Sequence, residues 1–528
     1  MLILNNIAYY HKDKTPLFKN LQLALPTGAK AALIANNGMG KSTLLKLIAG
    51  EIVPTAGIIA VEQLPYYIPQ VLDKLEEQTV AAALKIDKKL EALYQILNGE
   101  VTEENLQLLD DDWSLEERVL TAFARWNIAD IQLNQQMSSL SGGQKRKVYL
   151  AGIHIYQAKF ILMDEPNNHL DLAGRQLLYD FIQQTNATLL IVSHDRTLLN
   201  LLDCMYELHP AGIRTYGGNY EFFAAQKQLE QQALGDHIQA HEKELRKARE
   251  RERDVLERQQ RLDSRGAKKQ MKAGVSRIMM NTLRNQAEQS SAKLKHVQQN
   301  KIGDLSEKLT DLRMQRPDVD KIKFGFESTG LHQGKVLFEL QAVNHSYGLK
   351  PTFAQNLDLK IFSGERMAIT GNNGSGKTSL INILLGKLLP NQGQLFKADL
   401  PSIYIDQDYS LLNPNLSVFE QAEAFNDGSL QEHDIKIRLD RFLFNKDAWH
   451  KRCADLSGGE RMRLALCCLT IVPQAPDLIV LDEPTNNLDI QNIQMLSNAI
   501  QQYKGTLIVV SHDQQFLSEI GLQRTIAL

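Results

Sequence analysis

The chain has 528 residues, with 59 Lys plus Arg against 62 Asp plus Glu, a net charge of −3, and an apolar content of 43%. At about 150 residues per domain this is enough for three to four units, which excludes a lone small domain. Its greasiest runs, Leu189–Val192 and Leu478–Leu481, have the length of buried strands and fall short of the ~20 residues that span a bilayer. The opening Met1-Leu2-Ile3-Leu4-Asn5-Asn6 lacks the basic start, apolar core and cleavage site of a signal peptide, so a cytoplasmic location is expected. Cys204, Cys453, Cys467 and Cys468 show no metal-ligand spacing and are expected to be buried thiols.

In chain order, a strand over Ala31–Ile34 leads into Asn36-Asn37-Gly38-Met39-Gly40-Lys41-Ser42-Thr43 and an apolar helix. The same unit returns 336 residues later as Asn372-Asn373-Gly374-Ser375-Gly376-Lys377-Thr378-Ser379, after a strand over Arg366–Ile369. Leu140-Ser141-Gly142-Gly143-Gln144 recurs as Leu456-Ser457-Gly458-Gly459-Glu460 at an offset of 316. Asp164-Glu165-Pro166 and Ser193-His194-Asp195 recur as Asp482-Glu483-Pro484 and Ser511-His512-Asp513, both at an offset of 318. Order and spacing are kept, so the chain holds two copies of one α/β domain. The fall in offset places an insertion of about 20 residues in the first copy, expected in the helical Glu- and Leu-rich stretch 71–131.

No proline occurs between Ala211 and Arg316, and charged residues and Gln dominate there with spaced Leu, Ile and Met. This composition predicts long helices, with Gly266 and Gly274 bracketing the turn of a hairpin. Arg258 to Lys301 carries 11 basic residues against Asp263 and Glu288, a local +9 that leaves −12 on the remainder. Such an excess repels itself unless a polyanion compensates it. Arg265, Lys268, Lys269, Lys272, Arg277 and Arg284 are therefore candidate RNA contacts, whereas Ile278, Met279, Met280 and Leu283 read as hairpin core. The expected domains are 1–219, a basic hairpin linker at 220–325, and 326–528.

A strand, glycine-rich loop and helix opening Lys-Ser/Thr make a phosphate cradle: loop and helix N–H groups face the anion, Lys41 or Lys377 adds charge, and Ser42 or Thr378 can ligate Mg²⁺. Asn37, Gly38, Gly40 and Thr43, with Asn373, Gly374, Gly376 and Ser379, complete the two loops. The second matches the full pattern from Gly371; the first has Ala35 in place of its leading glycine, which predicts a slightly shifted turn. Asp164 and Asp482, ending apolar strands, are candidate Mg²⁺ ligands, and Glu165 and Glu483 are positioned to orient or deprotonate water. His194 and His512 would sense the terminal phosphate. Gln70 and Gln407, following Tyr66-Tyr67-Ile68 and Ile403-Tyr404-Ile405, are candidates for a metal or water contact. Tyr10 and Tyr347 precede the loop lysines by about 30 residues. They are candidates to stack on a base, with Tyr9 competing for the role of Tyr10.

P-loop, glutamine, Leu-Ser-Gly-Gly, Asp-Glu-Pro and Ser-His, in this order and twice over, resemble ATP-binding cassette domains across nearly the whole chain. In that family the Ser-Gly-Gly of one cassette caps the ATP held by the other. The resemblance thus implies one site from Lys41, Ser42, Gln70, Asp164, Glu165 and His194 with Ser457, Gly458 and Gly459. It implies a second from Lys377, Thr378, Gln407, Asp482, Glu483 and His512 with Ser141, Gly142 and Gly143. The run from Asp482 to Asp489, its partner ending Asn168-His169-Leu170-Asp171, the Tyr216-Gly217-Gly218-Asn219-Tyr220 stretch and the charged linker resemble the ABC-F group specifically. Asn167 departs from the commoner Thr. The group implies an ATPase, with ATP and Mg²⁺, that pairs its cassettes within one monomer and reaches ribosomal RNA and tRNA through the hairpin to modulate translation. The alternatives are an ATPase subunit of a membrane exporter and a DNA-associated structural ATPase.

Overall fold

The structure, a computed structural model, describes residues 1–10, 15–70, 77–209, 212–272, 299–313, 334–348, 350–486 and 488–528, with the single positions 296 and 332. In the first repeat the strands are β1 (Leu2–Tyr10), β2 (Pro16–Leu25), β3 (Lys30–Ile34), β4 (Ala56–Val61), β5 (Tyr66–Ile68), β6 (Phe160–Asp164), β7 (Thr188–Val192), β8 (Cys204–His209) and β9 (Gly212–Tyr216). In the second they are β10 (Val336–Asn344), β11 (Ser346–Tyr347), β12 (Lys350–Pro351), β13 (Leu357–Phe362), β14 (Arg366–Thr370), β15 (Gln392–Lys397), β16 (Ser402–Ile405), β17 (Leu478–Asp482), β18 (Thr506–Val510) and β19 (Arg524–Ala527). The central sheets run β5-β6-β7-β3-β8-β9 and β16-β17-β18-β14-β19, the same order in both copies, and all their pairings are parallel except β8 with β9. Smaller antiparallel sheets, β2-β1-β4 and β13-β10-β15, accompany them.

Phe160–Asp164 and Thr188–Val192 are buried throughout, as parallel strands covered on both faces must be. The helices of the first repeat are α1 (Lys41–Ile48), α2 (Val80–Ala83), α3 (Asp87–Leu97), α4 (Glu103–Leu109), α5 (Leu115–Arg125), α6 (Gly142–Ile155), α7 (Leu172–Gln184) and α8 (Arg196–Leu199). After α9 (Tyr220–Lys272) and α10 (residues 299–313), the second repeat has α11 (Lys377–Leu385), α12 (Val418–Glu423), α13 (Glu432–Arg441), α14 (Gly458–Ile471), α15 (Ile490–Gln502) and α16 (Gln514–Glu519). α3 and α4 are the extra pair: α2 and α12 both follow an isolated bridge pattern, Thr79 with Gln136 and Ser417 with Arg452, and only the first copy interposes two more helices.

By its own contacts the chain divides into Met1–Phe223 with Lys321–Leu528, which holds both repeats, and Ala224–Asp320. Within the second body, Ile238 and Leu245 of α9 pack on Leu309 of α10, and Arg313 pairs with Glu242 at 2.6 Å. Gly266 does not end a helix, contrary to the expectation from sequence: α9 runs through it to Lys272. A helical glycine costs only about 1 kcal/mol relative to alanine, and Arg265, Ala267, Lys268, Lys269 and Gln270 around it are good helix formers. Gly274, Ile278, Met279, Met280 and Leu283 lie outside the described residues, as do Arg277 and Arg284. Lys268, Lys269 and Lys272 fall on the last turns of α9, and Arg265 is exposed. No helix among the described residues is long and apolar enough to cross a membrane. Cys453, Cys467 and Cys468 are buried; Cys204, expected to be so, is only partly buried because it opens β8 instead of lying within it.

Trp126 ends α5 at 1% exposure, with its ring 6.4 Å from that of His154 on α6 and 6.3 Å from Phe181 on α7. It thus joins α5 to α6 and α7 of the first repeat. Replacing it by Ala should cost about 3–5 kcal/mol, and by Phe about a third of that, read as shifts in the urea midpoint.

Candidate active sites between the repeats

In both copies the loop after the first central strand turns identically. Met39 N–H donates to Asn36 O at 3.3 Å and Ser375 N–H to Asn372 O at 3.2 Å, and a left-handed glycine, Gly40 or Gly376, caps the following helix. Ala35 therefore does not shift the turn. The glycine matters in the other copy: Gly371 has φ +155°, and a Cβ there would fall 2.8 Å from the carbonyl of Leu528. Lys41 Nζ donates to Ala35 O at 2.7 Å and lies 3.3 Å from both Asn37 Oδ1 and His194 Nε2; Lys377 Nζ donates to Gly371 O and Asn372 O at 2.8 and 3.0 Å. Burial lowers both ammonium pKa values.

β6 and β17 deliver the carboxylates. Glu165 and Glu483, one residue past the strand, both take φ +49°, a left-handed conformation that non-glycine residues rarely adopt and that clusters at functional sites. Each N–H donates to the neighbouring strand, to Val192 O or Val510 O at 2.8 Å, and each side chain lies 3.4 Å from a histidine Nε2, of His194 or His512. Burial pushes Glu165 up to about 8, against the attraction of Lys41, and Glu483 up to about 7, against Arg175 and Lys377. Burial and the nearby lysine drive His194 well below the usual histidine range and His512 down to about 4, so both rings are neutral at pH 7. Burial also raises Asp164, opposed by hydrogen bonding to Ser42, and Asp482, opposed by the hydroxyl of Tyr404, which donates to Asp482 Oδ2 at 3.0 Å.

The copies meet at these loops. A cleft of about 620 Å³ is lined by Ser141, Gly142, Gly143, His169 and Arg175 from the first repeat. From the second it takes Tyr347, Asn373, Gly374, Gly376, Lys377, Thr378, Ser379, Gln407, Asp482, Glu483 and His512. Asn373 Nδ2 donates to His169 O at 3.0 Å, and a Cβ on Gly143 would lie 3.1 Å from that same amide nitrogen. Around Lys41 the arrangement is reciprocal. Asn37 N–H donates to Asp489 Oδ2 at 3.1 Å, Asp489 Oδ1 accepts from Asn492 Nδ2 at 2.7 Å, and Asn492 fills the space a side chain on Gly459 would need. Ser141 and Ser457 close capping boxes with Gln144 and Glu460, which fixes the entry of α6 and α14 beside the opposite loop.

Not every candidate arrives equally. Tyr347 lines the cleft, with its hydroxyl 3.4 Å from Ser379 Oγ. Tyr10 is 39% exposed at the end of β1, while Tyr9 packs against the core, which separates the two. The carbonyl of Gln70, with that of Pro69, is gripped by the fully buried guanidinium of Arg146 at 2.7 and 2.6 Å. Asn167 keeps the contact expected of its counterpart: its Oδ1 accepts from Ser193 Oγ at 2.9 Å, while Thr485 Oγ1 sits 3.5 Å from Ser511 Oγ. Asn487 lies outside the described residues. Arg146, Arg175, Tyr404 and Asn492 are site neighbours that the sequence reading did not single out. The one available signal was a mismatch between copies, such as Arg175 against Ile493 or Arg146 against Met462.

The donor set suits a nucleoside triphosphate and a hard cation. Asp164 Oδ2, Glu165 Oε1 and both carboxylate oxygens of Glu483 are buried without a hydrogen-bond partner, which a bound cation and ordered water would supply. The cleft volume falls in the range of small-molecule sites.

A family model described as ABC transporter matches residues 18–168 and again 354–486. The chain is 29% identical to the probable ATP-binding protein YbiT of Escherichia coli O157:H7, over 99% of this chain and 95% of that protein. It is 29% identical to ABC transporter F family member 5 of Arabidopsis thaliana, over 98% of this chain and 73% of that protein. The archaeal ribosome recycling factor aABCE1, solved in complex with the archaeal ribosomal stalk protein aP1, shares the fold with a TM-score of 0.59 and 20% identity, covering 99% of this chain and 87% of that one. With a paired sheet order, two phosphate loops and a family match in each repeat, the chain belongs to the ATP-binding cassette family, in its tandem-cassette ABC-F group, and is an ATPase.

Proposed function

We propose that this ATPase binds the ribosome when its cassettes close on ATP, contacts ribosomal RNA or tRNA through the basic linker, and modulates translation in the cytoplasm. The observation that carries the closure is the shared cleft: Ser141, Gly142 and Gly143 of one cassette line it together with Lys377 of the other. The RNA part rests on the +9 between Arg258 and Lys301, a charge that a membrane exporter's ATPase subunit has no use for. The likeness to a ribosome recycling factor is one of fold and supports the reading only in that sense.

In the proposed chemistry, the loop amides and Lys377 hold the β- and γ-phosphates, and the Ser-Gly-Gly turn at the start of α6 caps them from across the cleft. Thr378, Asp482 and Gln407 would hold Mg²⁺, as Ser42, Asp164 and Gln70 would in the other site; when bound, the cation neutralises phosphate charge. Glu483 takes a proton from water as the water oxygen bonds to the γ-phosphorus. The bond from that phosphorus to the bridging oxygen breaks, and ADP leaves with the electron pair. His512, neutral at pH 7, steadies the γ-phosphate without competing for the proton. Tyr347 stacks on the adenine at this site, and Tyr10 takes the corresponding place at the other. Glu165 and His194 play the same parts beside Lys41.

Replacing both Glu165 and Glu483 by Gln should leave ATP binding intact and lower turnover by about 10²- to 10⁴-fold, because an amide keeps the shape but takes no proton. Phosphate release at the parental rate would remove the catalytic assignment. The same double variant should co-sediment with ribosomes strongly in ATP and weakly in ADP. Reversing Arg265, Lys268, Lys269 and Lys272 to Glu should weaken pelleting and flatten its salt dependence, each lost phosphate contact removing about 0.7 from the log–log slope. Equal pelleting in ATP and ADP would refute the switch, and a charge-reversed form that pellets normally would refute the role of the linker.

A further inference from the structure

The repeat makes the two ATP sites alike in their loops, strands and capping turns, but one buried charge breaks the match. Arg175, on α7 of the first cassette, has a side chain only 8% exposed. The residue in register with it 318 positions later is Ile493, 3% exposed in the apolar packing of α15. Arg175 is anchored in its own cassette: Nε donates to Leu170 O at 3.3 Å, and Nη1 lies 3.8 Å from Asp195 Oδ2, a carboxylate that also accepts from Tyr179. The same Nη1 crosses the interface and donates to the carbonyl of His512 at 3.4 Å. Arg175 lines the cleft beside Gly142 and Gly143, facing Glu483 and Lys377.

We propose that Arg175 is a positioning residue for one ATP site alone: it reaches from the first cassette and holds the His512 segment of the second in place over the nucleotide bound at Lys377. The inference rests on the composite-site reading above. His512 carries two constraints at once, its carbonyl on Arg175 and its Nε2 3.4 Å from Glu483 Oε1, so fixing the backbone fixes the ring against the glutamate. A buried guanidinium needs such acceptors, and a charged donor makes the stronger hydrogen bond. At the Lys41 site Ile493 has no donor to offer His194, whose position depends on Glu165 and Lys41 of its own cassette. The second cross-cassette arginine has the same polarity: Arg196 pairs with Glu519, and their counterparts in register are Gln514 and Leu201. The His512 segment is therefore tied to the opposite cassette by a charged donor that the His194 segment lacks, and the two sites should hydrolyse at different rates.

The test uses the full-length protein loaded with ATP and reads the single burst of phosphate from each site. Glu165→Gln leaves the burst from the Lys377 site, and Glu483→Gln leaves that from the Lys41 site. Arg175→Ile, which installs the residue of the other copy, should slow the first burst by about 10- to 100-fold, the effect of one charge-assisted hydrogen bond, and change the second less than about twofold. ATP affinity should stay within about twofold, since the phosphate loops are untouched, so the loss falls on rate and not on binding. Arg175→Lys should recover part of the rate, because an ammonium can reach His512 O but cannot hold Leu170 O as well; it also serves if Arg175→Ile fails to fold. Equal slowing in both backgrounds would show a merely structural residue, and an unchanged burst in the Glu165→Gln background would overturn the proposal. Absence of a one-equivalent burst from either parent would instead remove the site assignment on which the proposal rests.

Discussion

A carboxylate taken out of water needs a cation, a proton or several hydrogen-bond donors; the end of β6 buries two carboxylates and the end of β17 half-buries two more, without enough of these from the protein. Glu483 leaves both oxygens unpartnered, and Asp164 and Glu165 one apiece. Much of each cassette serves to place these groups. The shared parallel order brings β6 beside β7 and β17 beside β18, so that carboxylates and histidines emerge together at the carboxyl ends of adjacent strands, with the phosphate loop leaving the next strand over. The matched φ of +49° at Glu165 and Glu483 belongs to the same arrangement: the backbone turns sharply at the strand end and aims the side chain back toward the histidine.

The pairing of the cassettes follows from a second shortage. The first turn of a helix has N–H groups with no partner in the helix itself, and in α6 and α14 the capping box satisfies only some of them. Those helix starts are pressed against the opposite phosphate loop through His169 and Asn373 on one side, and through Asp489, Asn492 and Asn37 on the other. An anionic phosphate placed between a loop and a helix start would answer both needs, as the proposed closure on ATP requires.

Duplication does not keep the copies equal. The first carries the helical pair α3–α4, an alanine at the head of its phosphate loop, Arg146 clamping the carbonyls of Pro69 and Gln70, and two arginines directed at the other cassette. The second has Gly371 pressed against the Leu528 carbonyl, and a tyrosine bonded to Asp482. The counterpart of that tyrosine, Tyr67, is half-buried, with an enclosed and unpartnered hydroxyl near Asp164. Two sites with the same motifs can thus differ in the groups that hold those motifs in place.

The sequence by itself determined the duplication, the α/β class, the strands that carry the loops and carboxylates, and the concentration of basic charge in the linker. Each of these is written in residues close together in the chain: periodicity, glycine spacing, capping pairs and local composition. Boundaries were less legible where a weak signal met a strong context, as at Gly266, which the helix formers around it carry into α9. What only the tertiary structure decided were contacts between residues far apart in sequence. Tyr10 and Tyr9 were separated by burial alone, and Arg146 proved to be a clamp because α6 packs under the Gln70 loop. Arg175 reads in sequence as an ordinary polar residue of an amphipathic helix. It became a candidate for setting one site apart only because folding carries it 337 positions along the chain to the carbonyl of His512, inside an interface where a buried charge cannot stay unpaired.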